Sequence, residues 1–132
     1  MKHTVCYISN KSEHVNKKDI QEIFETTQKN NKSRNITGIL LYLENSFFQV
    51  LEGDRQELVA VFNTIEMDDR HENIFVVIDK PIDKQTFKDY KSGFSIVKNS
   101  EDLQNLNKYL NETSTSIEES KNILNIIQPF LL

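Results

Sequence analysis

Hydrophobic positions along the chain recur with two periods, one typical of helices and one typical of strands. Apolar residues between positions 20 and 27 recur three and four residues apart, which predicts an amphipathic helix that Asn16 caps. A second helix is expected over residues 58–65, beginning at Asp54, with Glu57 placed to complete a capping box. Apolar runs rich in β-branched residues predict five strands, at residues 4–9, 36–43, 46–51, 73–79 and 93–97.

The order of these elements predicts an α+β fold. Strand, helix, strand, strand, helix, strand is the ferredoxin-like arrangement, here followed by a fifth strand. Right-handed crossovers place both helices on one face of the sheet. Two further helices, expected over residues 102–110 and 117–128, would pack on the other face or form an oligomer contact. Because residues 74–78 within the run 73–79 are continuously apolar, we expect this run to be a central strand buried on both faces.

The second and third strands are expected to form a hairpin around one awkward polar residue. Glu44 and Asn45 separate the two runs as a short polar turn. Side chains alternate between faces along a strand, so Gln49 lies between Phe47 and Leu51 on one face. A primary amide there has two donors and an acceptor to satisfy, and leaving them unpaired in a core costs about 1–3 kcal/mol. Gln49 either bonds main chain or water within the core, or faces a polar ligand.

Composition narrows the classes of partner. The net charge of −4 over 132 residues argues against nucleic acid, and no apolar run approaches the ~20 residues of a membrane span. The single cysteine, Cys6, excludes an intrachain disulfide, and His3, His14 and His71 lack the spacing of a metal site. The N-terminus carries no leader pattern. We therefore expect a soluble cytoplasmic protein, acting as a whole unit, without nucleic acid, membrane or metal as partner.

Tyr7 and Gln49 are more informative together than apart. If the first and third strands are neighbours, as in the ferredoxin-like order, a phenol and an amide converge in the groove between the two helices. A flat heteroaromatic ligand with carbonyls and ring nitrogens suits such a groove, with apolar side chains against the ring and polar groups at its edge. The other residues expected around it are Ile23, Asn30, Asn31, Ile65, Asp68, Arg70 and His71.

Six segments resemble the motif set of BLUF domains, the blue-light sensors that use flavin, in the family's order and at its spacings. They include F-Q-V-L-E-G at 48–53 and D-D-R-H at 68–71, and the likeness covers residues 3–97. The resemblance implies a flavin-binding domain at residues 1–98. The helical pair at 99–132 resembles that of short BLUF proteins, where it would be a cap, an oligomer contact or a signalling element. The other four segments are residues 7–9, 28–31, 36–40 and 87–94.

The resemblance also implies a role for each matching residue. Tyr7 would donate an electron and a proton to the photoexcited flavin, and Gln49 would rearrange its hydrogen bonds between Tyr7 and the flavin. Asn31 resembles the asparagine that bonds the ring edge, while Ile23 and Ile65 match the pair that flanks the isoalloxazine. The implied cofactor is FAD, bound non-covalently, with FMN or riboflavin as alternatives. The positions near the ring edge and the ribityl side are Asp68, Arg70 and His71.

One departure lies in the last strand, where the family usually has W-x-M-G-F. Tyr90 and Ser92 stand at the tryptophan and methionine positions, so these two residues are the expected signal relay. We hypothesise that the Ser92 hydroxyl bonds Gln49, since a buried hydroxyl pairs with an amide where a thioether barely can.

The function expected from these residues is that of a reversible blue-light photoreceptor and not of an enzyme. Its signal would leave through a separate partner protein or through self-association. The alternatives are a BLUF-like interaction module that does not respond to light, and an acylphosphatase-like enzyme on the same fold. The enzyme would need a phosphate-cradling loop, and the segment after Ser9 offers only Asn10 and Lys11.

A homo-oligomer is expected because apolar residues lie off the main stripe of the last helix: Ile123, Ile126, Phe130, Leu131 and Leu132.

Overall fold

A computed structural model describes residues 1–131 of the chain. No helix within these residues is both long enough and apolar enough to cross a membrane. A short 3-10 helix, Gln128–Leu131, follows the last α-helix. The strands are β1 (Lys2–Lys11), β2 (Thr37–Leu43), β3 (Ser46–Asp54), β4 (His71–Pro81) and β5 (Phe94–Val97), and the helices are α1 (Lys17–Ser33), α2 (Arg55–Glu66), α3 (Ser100–Thr113) and α4 (Glu118–Ile127).

The five strands form one mixed sheet in the order β4-β1-β3-β2-β5. The first four keep the ferredoxin-like order with antiparallel neighbours, and β5 extends the sheet by pairing parallel with β2. Since β1 and β3 are neighbours, their register sets Tyr7 directly opposite Gln49. The predicted α+β fold with a fifth strand is confirmed.

Apolar layers fill the space on both sides of the sheet. On one face, α1 and α2 cover strand residues that include Leu40 and Leu51. On the other face, α3 and α4 cover a layer that includes Phe48 and Val50. The tail helices therefore pack on the sheet, as predicted, and each face of β1 and β3 has its own set of contacts.

Three of the apolar residues that were expected to be spare are used in this packing: Ile123, Ile126 and Phe130. Ile123 is only 1% exposed, and Ile126 and Phe130 pack partly buried against the same layer. Leu132 and the side chain of Leu131 lie outside the described part of the structure. The expectation that Ile123 is free for an oligomer contact is therefore wrong, and the homo-oligomer stays a prediction.

The hairpin of β2 and β3 has the turn that its sequence predicted. Glu44 and Asn45 both have positive φ, 51° and 67°, as a type I′ turn requires. Within β2, Gly38 has φ +148°, and a Cβ built there would lie 1.8 Å from the carbonyl oxygen of Val50. Only glycine fits at this position, so β2 and β3 approach each other more closely there than any side chain would allow.

The two helices on the groove face begin at the expected N-caps, Asn16 and Asp54, but the capping box is found at α1 and not at α2. The Asn16 side chain accepts a hydrogen bond from the N–H of Asp19, whose carboxylate accepts one from the N–H of Asn16, which makes a complete capping box. At α2, Asp54 accepts a bond from a first-turn N–H, but Glu57 pairs with Arg34 at 2.7 Å. The predicted capping box at α2 is wrong because the Glu57 carboxylate, which would be its second member, forms an ion pair with Arg34 at the end of α1 instead.

β4 lies at an edge of the sheet and not at its centre. Phe75 is 67% exposed and Val76 is 40% exposed. The expectation of a strand buried on both faces is therefore wrong. A continuous apolar run predicts burial only when neighbouring elements cover both faces and both edges of the strand, and here the outer edge of β4 has no neighbouring strand within residues 1–131.

A buried carboxylate fixes the connection between β4 and β5. Glu52, only 1% exposed, accepts hydrogen bonds from the backbone N–H groups of Thr86 and Phe87, at 2.6 and 2.9 Å, and from the Thr37 hydroxyl at 2.9 Å. The hydroxyl of Tyr109 in α3 donates to the Thr86 carbonyl at 2.6 Å. The connection is thereby attached both to β3 and to the tail helices.

Candidate functional site

A groove lies between α1 and α2, on the face of the sheet that these helices cover. Two adjoining cavities of about 50 and 130 Å³ occupy it, and Gln49, Ile65 and Arg70 line both. Ile23 comes from α1 and Ile65 from α2, and together they give the groove its apolar sides. The structure thus brings together every residue expected around the ligand. Those residues are Tyr7, Ile23, Asn30, Asn31, Gln49, Ile65, Asp68, Arg70 and His71.

The floor of the groove carries a buried hydrogen bond between Tyr7 and Gln49. The Nε2 group of Gln49 donates to the phenol oxygen of Tyr7 at 2.6 Å, and Gln49 is 2% exposed and Tyr7 3% exposed. Burial raises the pKa of the Tyr7 phenol above its ordinary value, and the bond from Gln49 offsets only part of that rise. The phenol is therefore protonated at neutral pH and retains a proton that it can give up.

The other end of the Gln49 amide is bonded to α1. Asn31, in the last turn of α1, is 2% exposed, and its Nδ2 group donates to Oε1 of Gln49 at 3.4 Å. The Asn31 backbone carbonyl accepts from the N–H of Ile36 at 2.9 Å, which ties this turn to the start of the hairpin. Gln49 thus stands between a phenol and a second amide, and each of the three groups can both donate and accept. Asn30 lies beside them with an exposed side chain at the outer rim.

An ion pair between Asp68 and Arg70 borders both cavities. The guanidinium donates to both carboxylate oxygens of Asp68, with the shortest contact at 2.6 Å. Partial burial would raise the pKa of Asp68, but the hydrogen bonds and charge of Arg70 outweigh it and hold that pKa below its usual range. This pair holds the segment after α2 in a fixed shape and presents a guanidinium edge to the groove.

His71 is the first residue of β4, and both of its ring nitrogens contact protein groups. Nδ1 lies 2.8 Å from the Ser9 hydroxyl, and Nε2 lies 2.8 Å from the Ile65 carbonyl oxygen. Ser9 is therefore part of the site, although it was not predicted to lie there. It could have been found, because Ser9 follows Tyr7 by two residues and so shares its face of β1.

The expected signal relay is divided between two places outside the groove. Tyr90 lies on the opposite face of the sheet, 7% exposed, where its ring packs against Tyr109 at 4.5 Å and Phe87 at 6.0 Å between centroids. Ser92 is exposed, in the turn before β5.

The hypothesis that Ser92 bonds Gln49 is wrong. The register runs from Gln49 through Leu40 of β2 to Ile96 of β5, so Ile96 and not Ser92 lies in line with the amide. Ser92 falls outside this row because β5 begins only at Phe94. Further residues line the groove without having been predicted there: Thr26, Thr27, Arg34, Leu40, Phe47, Val61 and Thr64.

The chain that carries this groove has relatives among known proteins. A family model described as sensors of blue light using FAD, BLUF, matches residues 3–93. The chain belongs to the BLUF family. Members of this family are blue-light sensors that work with a bound flavin, and the groove is the part of the BLUF fold where the polar residues of this chain converge.

Individual relatives support the same BLUF assignment. Photoactivated adenylate cyclase subunit alpha of Euglena gracilis is 34% identical over 84 residues, which is 64% of this chain and 8% of that protein. The photo-activated state of BlsA matches with a TM-score of 0.71 at 27% identity, covering all of this chain and 86% of BlsA. Klebsiella pneumoniae BlrP1 with FMN and cyclic diGMP matches with a TM-score of 0.66 at 28% identity, covering 74% of this chain and 26% of BlrP1. The chain thus spans under a tenth of that cyclase subunit.

Proposed function

We propose that this BLUF protein senses blue light with a flavin held non-covalently between α1 and α2, and that Tyr7 and Gln49 are its photoactive pair. The observation that supports this most directly is the buried 2.6 Å hydrogen bond between the Gln49 amide and the Tyr7 phenol at the floor of the groove. Because both groups line the groove, they would contact a flat ring that binds between the two helices.

The residues of the groove fit a flavin ring. Ile23 and Ile65 offer apolar contact to the two faces of a flat heterocycle. Gln49 and Asn31 offer amide donors and acceptors to its carbonyls and ring nitrogens, and Arg70 offers further donors. The groove thus combines apolar walls with polar groups that converge on its floor and rim, as sites for flat cofactors do.

When bound, the flavin supplies the absorption of blue light and an excited state that accepts an electron. Tyr7 is the group in the groove suited to give up one electron together with its phenol proton. Its burial keeps the phenol protonated and its raised pKa disfavours loss of the proton alone. As observed, the phenol oxygen accepts from Nε2 of Gln49, and an amide NH2 group cannot take up a proton. The Tyr7 proton can therefore pass to Gln49 only when Oε1 of the amide faces the phenol.

Gln49 has two self-consistent sets of hydrogen bonds. As observed, Nε2 donates to Tyr7 and Oε1 accepts from Asn31. After half a turn of the amide, Oε1 would accept from the Tyr7 hydroxyl and Nε2 would donate to the Asn31 side-chain oxygen, if that amide turned as well. Reversal of Gln49 changes what it presents to a ring beside it without changing the number of bonds. This makes Gln49 a reversible switch and not a site of turnover.

For the flavin itself we propose FAD, with FMN as the alternative. The BLUF family is described as using FAD, whereas the BlrP1 structure that resembles this chain is a complex with FMN. At the open side of the groove, Arg34 pairs with Glu57 and Arg70 pairs with Asp68, so both guanidinium groups already have carboxylate partners. Chromatography of the flavin released from purified protein on denaturation distinguishes the two cofactors.

The output of this switch is proposed to leave through the tail. On this proposal, residues 1–98 bind the flavin and residues 99–132 carry the signal to a partner protein or to a second copy. Tyr90 supports this division because it packs on the tail side, against Tyr109 of α3. No reaction is required of the chain in this role. Elution volume on gel filtration, measured in darkness and under blue light, tests whether self-association changes.

The experiment that tests the proposal is a light-minus-dark difference spectrum of the purified protein. We expect a flavin spectrum that shifts to the red under blue light and recovers in darkness. Tyr7→Phe should keep the yellow colour and lose the shift, while Tyr42→Phe, whose hydroxyl contacts Asn45 near the surface, should keep both. A colourless protein from flavin-replete cells contradicts the proposal, and a coloured protein without a shift favours a BLUF module that does not respond to light.

The acylphosphatase-like alternative finds no support at the start of the chain. Lys11 donates to the carbonyls of Ser12 and Val15, at 3.1 and 3.0 Å, so its ammonium group is bound to its own loop. Such a lysine holds the loop together instead of facing a phosphate.

A further inference from the structure

His71 links the three segments that surround the photoactive tyrosine. It begins β4, contacts Ser9 of β1 through Nδ1 and contacts the Ile65 carbonyl at the end of α2 through Nε2, each at 2.8 Å. Its ring also lies edge-to-face against Tyr7, with centroids 6.0 Å apart. Although His71 lines the groove, both of its hydrogen-bonding atoms are used by the protein, so it has none left for the edge of a ligand.

The two partners determine the tautomer of His71. A carbonyl oxygen only accepts, so Nε2 must carry the proton that it donates to Ile65. In the neutral ring, Nδ1 then has a free lone pair and accepts from the Ser9 hydroxyl. The chain of bonds runs in one direction, from Ser9 through the imidazole to Ile65.

We propose that His71 is a positioning residue: with a proton on Nε2, it joins Ser9 to Ile65 and thereby fixes Tyr7 relative to the α2 wall of the groove. Ser9 is two residues from Tyr7 on the same face of β1, and Ile65 is an apolar wall of the groove. A displacement of either end would change the distance between the phenol and any ring held against Ile65. This inference rests on the proposed function of Tyr7, and it concerns how the photoactive geometry is maintained.

Two variants remove this link in different ways. Ser9→Ala deletes the donor to Nδ1, and His71→Phe keeps an aromatic ring against Tyr7 while deleting both hydrogen bonds. In flavin-loaded protein we expect each variant to retain the yellow colour and to change the rate of dark recovery at least about fivefold, which is ~1 kcal/mol on the barrier. Ser9→Thr, which keeps a hydroxyl, should restore the original rate. Ser120→Ala, a buried serine of α4 bonded to Thr113 on the opposite face, should leave the rate unchanged.

The double variant distinguishes positioning from direct contact with the ligand. If Ser9 acts only through His71, Ser9→Ala/His71→Phe recovers at the rate of His71→Phe alone. The proposal would be overturned if the two changes in recovery rate multiply in the double variant. It would also be overturned if the Ser9→Ala protein recovers at the wild-type rate.

The tautomer itself can be read without light or flavin. A long-range ¹H–¹⁵N spectrum of the histidine side chains in flavin-free protein should show His71 protonated at Nε2, and Ser9→Ala should shift its Nδ1 resonance. A ring without a proton on Nε2 would refute the positioning role whatever the photochemistry shows, because it could not donate to the Ile65 carbonyl. If this spectrum is as expected but the wild-type protein shows no light-induced shift, the proposed function fails while the structural link stands.

Discussion

Replacing Tyr7 and Gln49 separately and together tests whether their hydrogen bond is shielded from water in solution. Gln49→Leu leaves the Tyr7 phenol, which is 3% exposed, without this hydrogen bond. Tyr7→Phe leaves the Gln49 amide, which is 2% exposed, without it. A buried polar group left unpaired costs about 1–3 kcal/mol. Each single variant should therefore lose about that much free energy of unfolding. The double variant leaves neither group behind, and it should lose clearly less than the sum of the two single losses.

The assay is urea unfolding of the flavin-free protein, followed by circular dichroism. With a denaturant slope of ~2 kcal/mol/M, the midpoint of each single variant should fall by about 0.5–1.5 M. Tyr42→Phe is the matched control, because its hydroxyl makes only an exposed 3.3 Å contact with Asn45, and it should stay within about 0.5 kcal/mol of wild type. Losses that add within about 0.5 kcal/mol in the double variant would mean that the two groups do not interact in solution.

Further predictions concern packing and charge elsewhere in the fold. Gly38→Ala should cost about 3 kcal/mol or more in urea unfolding, because its Cβ would lie 1.8 Å from the Val50 carbonyl oxygen. Ile123→Ala should cost about 2–4 kcal/mol, whereas Phe75→Ser at the exposed edge of β4 should change stability by less than about 1 kcal/mol; similar losses for the two would contradict the burial of Ile123. Burial raises the pKa of Glu52 above 4.5, against the hydrogen bonds that it accepts from Phe87, Thr37 and Thr86. Its contribution to stability is therefore full below pH 4.5 and is lost as the pH rises through the folded-state pKa. Glu52→Gln should flatten that part of the pH–stability curve measured by thermal unfolding, and an unchanged slope would show that another group causes it.

The hairpin and the groove could be predicted from the sequence because the local turn and strand patterns there agree with the tertiary packing. Glu44-Asn45 is a turn that works in isolation, and the alternation along residues 46–51 places Gln49 on a definite face whatever lies above it. The ferredoxin-like order then made Tyr7 and Gln49 neighbours. The resemblance to BLUF domains added which of the surrounding side chains to expect in the groove.

Two of the errors arose where distant parts of the chain decide the outcome. Glu57 has the spacing of a capping box, but Arg34, twenty-three residues earlier, takes its carboxylate. The apolar run of β4 predicts a buried strand, but only the order of strands in the sheet shows that it is an edge. Ser92 occupies the family's methionine position, yet its side chain faces solvent because β5 begins two residues later. The first two outcomes are not visible within a window of ten or fifteen residues, whereas the exposure of Ser92 follows from a local strand boundary.

Residues 82–93, between β4 and β5, contain no helix or strand, and segments of this kind ordinarily exchange their amide hydrogens with solvent quickly. Here two of those hydrogens, from Thr86 and Phe87, are bound to the buried carboxylate of Glu52. They can exchange only when the loop separates from β3, so we expect them to exchange more slowly than the other amide hydrogens of this segment. Because Gln49 and Glu52 are on one strand and face opposite layers, loosening β3 at either residue would loosen the other side as well.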